Sequence, residues 1–287
     1  MAEICEVESN ITVVSLDWHS EQMLKEFKTI EKEFQHIWRN DSTLEFIFHK
    51  KNLGLAEHIT KTITKILKSY EAIIVVEDDI AISKQTVESF KLALQSDSFS
   101  ENYACVGGYS PLALPRVFER FNFFRNSRYF VCWGWGTTRE IWDLYQLDIS
   151  KVNFEKTVSS SESWNSLSLK QTQTWRGRFQ KIQQTPIHTW DFQFQYMMFA
   201  HDKRSLLPAG RIVENLGFND PRSAHTRQRR PRWMRSPKFS ERKISYGIDV
   251  KAINNLFQFI ESLTVIGDRE IFFRAIYLRL MKHRDPT

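Results

Sequence analysis

The chain has 287 residues, of which 41% are hydrophobic and 14% aromatic, so it can bury a sizeable core, which excludes a disordered protein. Its three cysteines are an odd and small number that gives no disulfide framework, which favours a reducing compartment and hence the cytoplasm. We find neither a signal peptide nor a long uncharged apolar stretch, so we expect no transmembrane helix.

The first predicted elements are a strand, a helix and a second strand. Ile11–Leu16 is a short apolar run that ends at Asp17, as a strand would. Ser20 can cap the helix that follows. Residues 44–48 form the second apolar strand. In the helix, apolar side chains recur at helical spacing and form one stripe: Met23, Phe27, Ile30, Phe34 and Ile37.

A turn and a second helix lead from this strand to a third strand. Residues 52–56 read Asn-Leu-Gly-Leu-Ala, and Gly54 allows a positive φ or a close backbone approach, although an ordinary loop glycine is the alternative. Strand, turn, helix and strand together predict a right-handed βαβ crossover. The apolar face of the helix is formed by Leu55, Ile59, Ile63, Ile66, Leu67 and Tyr70.

Three acidic residues follow the third strand directly. Residues 72–76 are a continuous apolar run, typical of a strand buried on both faces, and Glu77, Asp78 and Asp79 come next. Open α/β sheets bind ligands at the carboxyl ends of their strands. Neighbouring carboxylates repel one another unless a cation compensates them, and their oxygens suit Mg²⁺ or Mn²⁺. The alternative interpretation is a solvated acidic turn.

Further elements are predicted between residues 84 and 200. Residues 157–174 are dense in Ser, Thr and Gln, which predicts a mobile loop. The Gly-Trp-Gly sequence at residues 134–136 demands a turn. The apolar pattern predicts helices at residues 84–95, 138–145 and 192–200, a strand at residues 103–106 and an extended segment at residues 128–133.

The net charge of +6 is concentrated in residues 227–243, which are rich in Arg and Lys. A nucleic-acid contact, an anionic membrane surface, a cover over a diphosphate and a solvated linker all fit such a segment. We expect no nucleic acid, and we retain a peripheral contact at the inner face of the membrane. Residues 249–283 predict two helices whose apolar stripe packs in a core or lies on a membrane. We therefore divide the chain into residues 1–226 and an appendage, residues 227–287.

Residues 52–56, the helix after them and Ile-Val-Val-Glu-Asp-Asp at residues 74–79 resemble the core of GT-A glycosyltransferases. More narrowly, they are similar to bacterial sugar transferases of glycosyltransferase family 2 that are related to the N-acetylglucosaminyltransferases of protein-linked glycans. The resemblance extends over roughly residues 42–226. It continues in residues 107–111 (Gly-Gly-Tyr-Ser-Pro), 132–137 (Cys-Trp-Gly-Trp-Gly-Thr), 189–193 (Thr-Trp-Asp-Phe-Gln), 213–218 (Val-Glu-Asn-Leu-Gly-Phe) and 224–226 (Ala-His-Thr).

The resemblance implies an α/β fold with a mixed, mostly parallel sheet between helices, followed by the helical appendage. It implies transfer of a sugar from a nucleotide-diphosphate donor to a glycan or lipid-linked acceptor, with inversion. Members of the family usually open with a strand that precedes the one at Ile11–Leu16, and residues 1–10 do not fit a strand and a helix. We therefore expect the first strand to be missing, with weak donor binding and self-association as consequences.

The resemblance also assigns residues to roles. It implies that Asp79 is a ligand of Mn²⁺ or Mg²⁺. It also implies that His225, near the end of the resemblance, is a ligand of the metal or of the diphosphate, and the alternative for His225 is a plain surface histidine. It implies that Asp191 is the base that deprotonates the acceptor hydroxyl, with a helix N-cap as the alternative. Trp133 and Trp135 are implied to line the sugar pocket, and the alternative for both is packing in the core. The residues implied to bind the donor are Asn52, Gly54, Glu77, Asp78, Trp133, Gly134 and Trp135.

Two other classes of function stay open beside an active transferase. An inactive relative would bind a partner or a nucleotide sugar without turnover. A receiver-like or Mg²⁺-dependent phosphotransfer domain also places acids at strand ends, but residues 103–226 follow the transferase order and are too long for a receiver. Neither the donor, the acceptor nor the linkage follows from the sequence.

Overall fold

A computed structural model describes residues 11–38, 43–110, 123–185, 188–210, 212–218, 258 and 261. These residues form a mixed α/β fold in which single strands and helices alternate as far as β3, and runs of strands or helices follow. The strands are β1 (Ile11–Leu16), β2 (Thr43–Phe48), β3 (Ala72–Val75), β4 (Ile80–Ile82), β5 (Tyr103–Gly107), β6 (Phe124–Ser127), β7 (Trp135–Thr138), β8 (Arg204–Pro208) and β9 (Val213–Asn215). The helices are α1 (Glu21–Ile37), α2 (Leu55–Leu67), α3 (Lys84–Leu94), α4 (Phe99–Asn102), α5 (Arg139–Trp142), α6 (Phe154–Val158), α7 (Glu162–Asn165), α8 (Leu169–Gln184) and α9 (Asp191–Ala200).

The largest sheet has five strands in the order β3-β7-β5-β8-β6. The β5–β8 pair is parallel, and the β3–β7, β5–β7 and β6–β8 pairs are antiparallel. The sheet is therefore mixed, with β3, β5 and β8 pointing one way. Helices α2, α5 and α9 contribute to the core on one face, and α3 contributes to the core on the other. The predicted α/β class, with a mixed sheet between helices, is confirmed, but the sheet is not mostly parallel, since three of its four strand pairs are antiparallel.

Strand β3 shows why this segment folds as a buried strand. Ile73 and Val75 pack against the core shared with α2 and α9, whereas Ala72 and Ile74 pack against the core that contains α3. Side chains alternate across a strand, so a continuous apolar run supplies both faces at once.

Strands β1 and β2 form a separate parallel pair. Helix α1 begins after Ser20, whose hydroxyl accepts the Met23 N–H, and Phe27 is buried against the rings of Phe46 and Phe48. Met23, like Ile30 on the same helix, stays exposed, so the predicted apolar stripe is only partly covered by described residues. The strand expected before β1 concerns residues 1–10, which lie outside the described residues.

Helix α2 connects this pair to the large sheet. Its buried Ile59, Ile63 and Leu67 belong to the core of the five-stranded sheet. On its other side the Thr62 and Ser15 hydroxyls lie 3.1 Å apart, which ties the helix to β1. Strand β2, helix α2 and strand β3 follow one another as predicted, but β2 and β3 lie in different sheets, so the predicted βαβ crossover within one sheet is wrong.

The region between β5 and α9 contains one wrong prediction, the loop at residues 157–174. Residues 128–133, which were predicted only to be extended, connect β6 to β7 without forming a strand themselves. Residues 157–174 are not a loop but carry α7 and parts of α6 and α8. Their polar residues are helix caps: Ser161 and Ser168 accept N–H groups of α7 and α8, and Gln171 completes a capping box with Ser168.

The basic residues 227–243 lie outside the described residues, as does most of the predicted C-terminal helical segment. Glu261 is described, and it is buried against β6. No helix in the described part of the chain has the length and apolar character needed to cross a membrane.

Candidate active site

The three acids after β3 form the loop that leads into β4. Asp78 is exposed, while Glu77 and Asp79 are half-buried. The Ile80 N–H donates to the Glu77 carbonyl at 3.1 Å, which closes a turn. The Leu216 N–H donates to the Asp79 carbonyl at 2.6 Å, so the chain just after β9 holds the other side of the loop.

The antiparallel β4–β9 pair brings the second segment of the site to this loop. Ile80 pairs with Asn215, directly beside the acids. The Asn215 side chain accepts the Gly217 N–H at 2.8 Å and so shapes the turn that follows β9. The family resemblance extends to residues 213–218, but the sequence carries no signal for this supporting role of Asn215.

Asp191 is the first residue of α9. The N-cap of this helix is Trp190, and no side chain caps the helix. The interpretation of Asp191 as the N-cap is therefore wrong, because the N-cap is the residue before it. The Thr189 hydroxyl donates to Asp191 Oδ1, and the side chain of Asp191 is half-buried. A carboxylate in the first turn is stabilised by the positive end of the helix dipole.

The acids of the loop and Asp191 share one electrostatic environment. Burial, followed by the negative charges of Asp79, Asp78 and Asp191, raises the pKa of Glu77 from its ordinary value of 4.5 to about 7. The fold thus brings a residue of α9 to the acids that follow β3. A carboxyl group whose pKa is raised towards neutrality by burial and by neighbouring acids is a common mark of a functional site.

Cys132 lies in the same environment. Burial, followed by the charges of Glu77, Asp191 and Asp79, raises the pKa of its thiol. Because the thiolate is the nucleophilic form of cysteine, a raised pKa disfavours a nucleophilic role for this residue.

Trp133, Gly134 and Trp135 lie close to the acids, but their environments differ. Trp133 is half-buried and packs against Tyr109, with the ring centroids 4.5 Å apart. Gly134 has φ +60°, and a Cβ there would lie 3.2 Å from Val213 Cγ1. The Trp135 side chain is 0% exposed, so it is part of the core.

Trp135 helps to position Asp191 by packing against the residue that precedes it. Its ring stacks on Trp190, with the centroids 5.3 Å and the planes 23° apart. The Trp190 carbonyl in turn accepts the Tyr145 hydroxyl at 3.1 Å. The residue before Asp191 is therefore fixed through both its ring and its backbone.

Asn52 and Gly54 lie in the exposed turn between β2 and α2. Gly54 has φ +74°, and its N–H donates to Asn52 Oδ1 and to Asp17 Oδ2, both at 2.8 Å. The Leu53 N–H donates to Asp17 Oδ1 at 2.9 Å. Asp17 thus holds this turn, a role that sequence reasoning missed, although an acid directly at a strand end was its available signal.

The carboxylates suit a divalent cation in their chemistry. Their oxygens are the hard ligands that Mg²⁺ and Mn²⁺ prefer, and the mutual repulsion that raises the pKa of Glu77 would be relieved by a cation. Within the described ranges, no three His, Cys, Asp or Glu side chains are arranged to hold a metal together. His225, the other predicted ligand, lies outside the described residues. Compared with models of protein families and with curated protein sequences, the chain matches none of them.

Proposed function

We propose that this chain is a metal-dependent GT-A glycosyltransferase that moves a sugar from a nucleotide-diphosphate donor to a glycan or lipid-linked acceptor, with inversion. The observation that carries the proposal is the joint environment of Glu77, Asp78 and Asp79 with Asp191. The acids at the end of β3 and the acid that begins α9 are far apart in sequence, and the resemblance gives them complementary roles.

Asp79 and Asp78 would hold the cation, Asp79 directly and Asp78 through water or through the donor. A bound Mg²⁺ or Mn²⁺ supplies positive charge that stabilises a leaving diphosphate. Glu77 is half-buried behind the two aspartates and shapes the negative field in which they act. Because the cation neutralises this field, donor binding and cation binding should depend on each other.

Asp191 is the proposed general base. Inversion requires a base on the side of the sugar opposite the diphosphate, and this base takes the proton of the acceptor hydroxyl. The Thr189 hydroxyl donates to one oxygen of Asp191, which orients the carboxylate while the other oxygen can accept the proton. The stacked Trp190 holds the start of α9 and so limits the movement of this base.

Asp79→Asn tests the cation site. UDP-sugars and GDP-sugars are screened by thermal shift in Mn²⁺ or in EDTA, because a true donor stabilises the folded state by mass action. We expect a donor that raises the Tm of the wild type only with Mn²⁺, and no such rise for Asp79→Asn. Asp97→Asn, at an exposed acid outside the loop, serves as the matched control and should behave as the wild type. Equal donor binding by Asp79→Asn and the wild type in EDTA would refute the assignment.

Asp191→Asn tests the base. Its turnover should fall by about 10²-fold or more, while the donor Kd stays within about twofold, because a proton-transfer group acts mainly in the transition state. Asp143→Asn, at an exposed acid after α5, is the control. Near-normal turnover of Asp191→Asn would exclude the base. Donor binding without any turnover by the wild type would instead favour the inactive relative.

A further inference from the structure

The described residue farthest along the chain makes a buried ion pair with the edge of the five-stranded sheet. Arg125, on β6, donates from Nη1 to Glu261 Oε1 at 2.8 Å, and the two side chains are 0% and 2% exposed. Ser127 Oγ also donates to Glu261 Oε1, at 2.7 Å. A carboxylate so placed is fully engaged by the strand.

The same arginine reaches towards the candidate site. Arg125 Nη2 donates to Ser110 Oγ at 3.1 Å, and Ser110 is itself buried. Ser110 follows Tyr109, whose ring supports Trp133. The backbone before them is also fixed, since the Gly108 N–H donates to the Gly134 carbonyl at 2.8 Å.

The charge of Arg125 makes this arrangement depend on Glu261. A buried guanidinium without an anion is strongly unfavourable, so it moves towards water or another acceptor when its partner is removed. Ser110 accepts from the other terminal nitrogen of the same planar group, and it cannot keep its donor if the guanidinium moves. The position of Ser110 is thereby linked to residue 261.

We propose that Glu261 is a positioning residue for the candidate site: it neutralises Arg125, which keeps Ser110 in place and with it the Tyr109 ring that supports Trp133. Only the last step, the use of Trp133 by a bound donor, rests on the proposed function. Glu261, which the sequence analysis places in the appendage of residues 227–287, is therefore required for the geometry of the site.

The test separates positioning from plain stability. Removing one partner of a buried ion pair is costly, whereas replacing both by apolar residues is often neutral. Arg125→Met and Glu261→Met should each lower the Tm by about 10 °C, and the double variant should regain most of this loss. Ser110→Ala removes the link to the site without touching the ion pair.

The position of Trp133 is read by ¹⁹F NMR on protein labelled with 5-fluorotryptophan, with the resonance assigned through Trp133→Phe. Trp142, in the core on the opposite face of the sheet, provides the internal reference. We expect the Trp133 resonance to shift in Ser110→Ala and to stay shifted in the stable double variant. A wild-type Trp133 resonance in both of these proteins would reduce the ion pair to a stability element and overturn the proposal.

Donor kinetics add a second, independent readout. Ser110→Ala should raise the donor KM by about threefold to tenfold with kcat within about twofold, as for a lost ground-state contact. An unchanged KM together with a shifted Trp133 resonance would show that Trp133 moves but does not serve the donor. If the wild type binds no donor, the proposed function fails, while the NMR result still decides the role of Glu261.

Discussion

Glu77 illustrates how strongly burial can change the pKa of an acidic side chain. Its neighbour Asp78 is exposed, whereas Glu77 is half-buried, and burial together with the charges of nearby acids raises the pKa of Glu77. The sequence predicts the acidic triplet and its place after a strand. It does not predict that the charge of Asp191 raises the pKa of Glu77. That contribution requires α9 to pack beside β3, which is a tertiary event.

The perturbed Glu77 gives a testable pH dependence. Its pKa in the folded state is raised from the ordinary 4.5 to about 7, so the folded state binds this proton more tightly than the unfolded state. As the pH rises from about 4.5 to about 7, the contribution of Glu77 to the free energy of unfolding therefore falls, and above this range it is constant. Glu77→Gln should remove this fall, as measured by urea unfolding in EDTA across that range.

Glu140→Gln, at an exposed glutamate of α5, is the control for this measurement and should keep the wild-type slope of stability against pH. Identical slopes for Glu77→Gln and the wild type would contradict the perturbed pKa.

At the scale of elements, the agreement between sequence and structure follows the strength of the local signal. Helices α2 and α3 and strands β1, β3 and β5 were predicted because their apolar patterns are strong. The α7–α8 region was not, because its Ser, Thr and Gln residues were interpreted as loop composition. Trp164, Trp175 and Phe179 are buried there and fold the segment against α9. The burial of these three aromatic side chains makes the segment fold as helices, although most of its other residues are polar.

The turn between the half-buried Trp133 and the buried Trp135 offers a prediction at this scale. Gly134 adopts φ +60°, which costs an L-residue about 1–2 kcal/mol, and its added Cβ would press on Val213 Cγ1 at 3.2 Å. Gly134→Ala should therefore destabilise the protein by roughly 1–3 kcal/mol in urea unfolding.

Gly177 is the matched control, because it lies inside α8 with no atom within 4 Å of an added Cβ. Gly177→Ala should stabilise the protein by about 0.5–1 kcal/mol, since alanine favours a helix. Changes of the same sign in both variants would contradict the role given to the Gly134 turn.

At the scale of the whole molecule, the described fold contains a well-packed five-stranded sheet, whose core the β4–β9 pair shares, and a smaller, separate β1–β2 pair. The β1–β2 pair and α1 leave Met23 and Ile30 exposed, while β5 and β8 are largely buried. The sequence predicts both parts but not that they form separate sheets, because hydrogen bonding between distant strands has no local signal.

This division predicts unequal local stability. Amide hydrogen exchange, followed by mass spectrometry, should show that Ile11–Leu16 exchanges at least about tenfold faster than Tyr103–Gly107, because the smaller unit can open without the larger one. Equal exchange rates in the two strands would indicate a single cooperative unit.

The buried pair of Arg125 and Glu261 also has a consequence for biosynthesis. The two residues are 136 positions apart, so β6 leaves the ribosome with an arginine whose partner has not yet been made. At about 5–20 residues per second, this delay lasts roughly 7–27 seconds. During that interval the edge of the nascent sheet would have to close over Arg125 in the absence of Glu261, so β6 should stay accessible to chaperones until residue 261 has emerged.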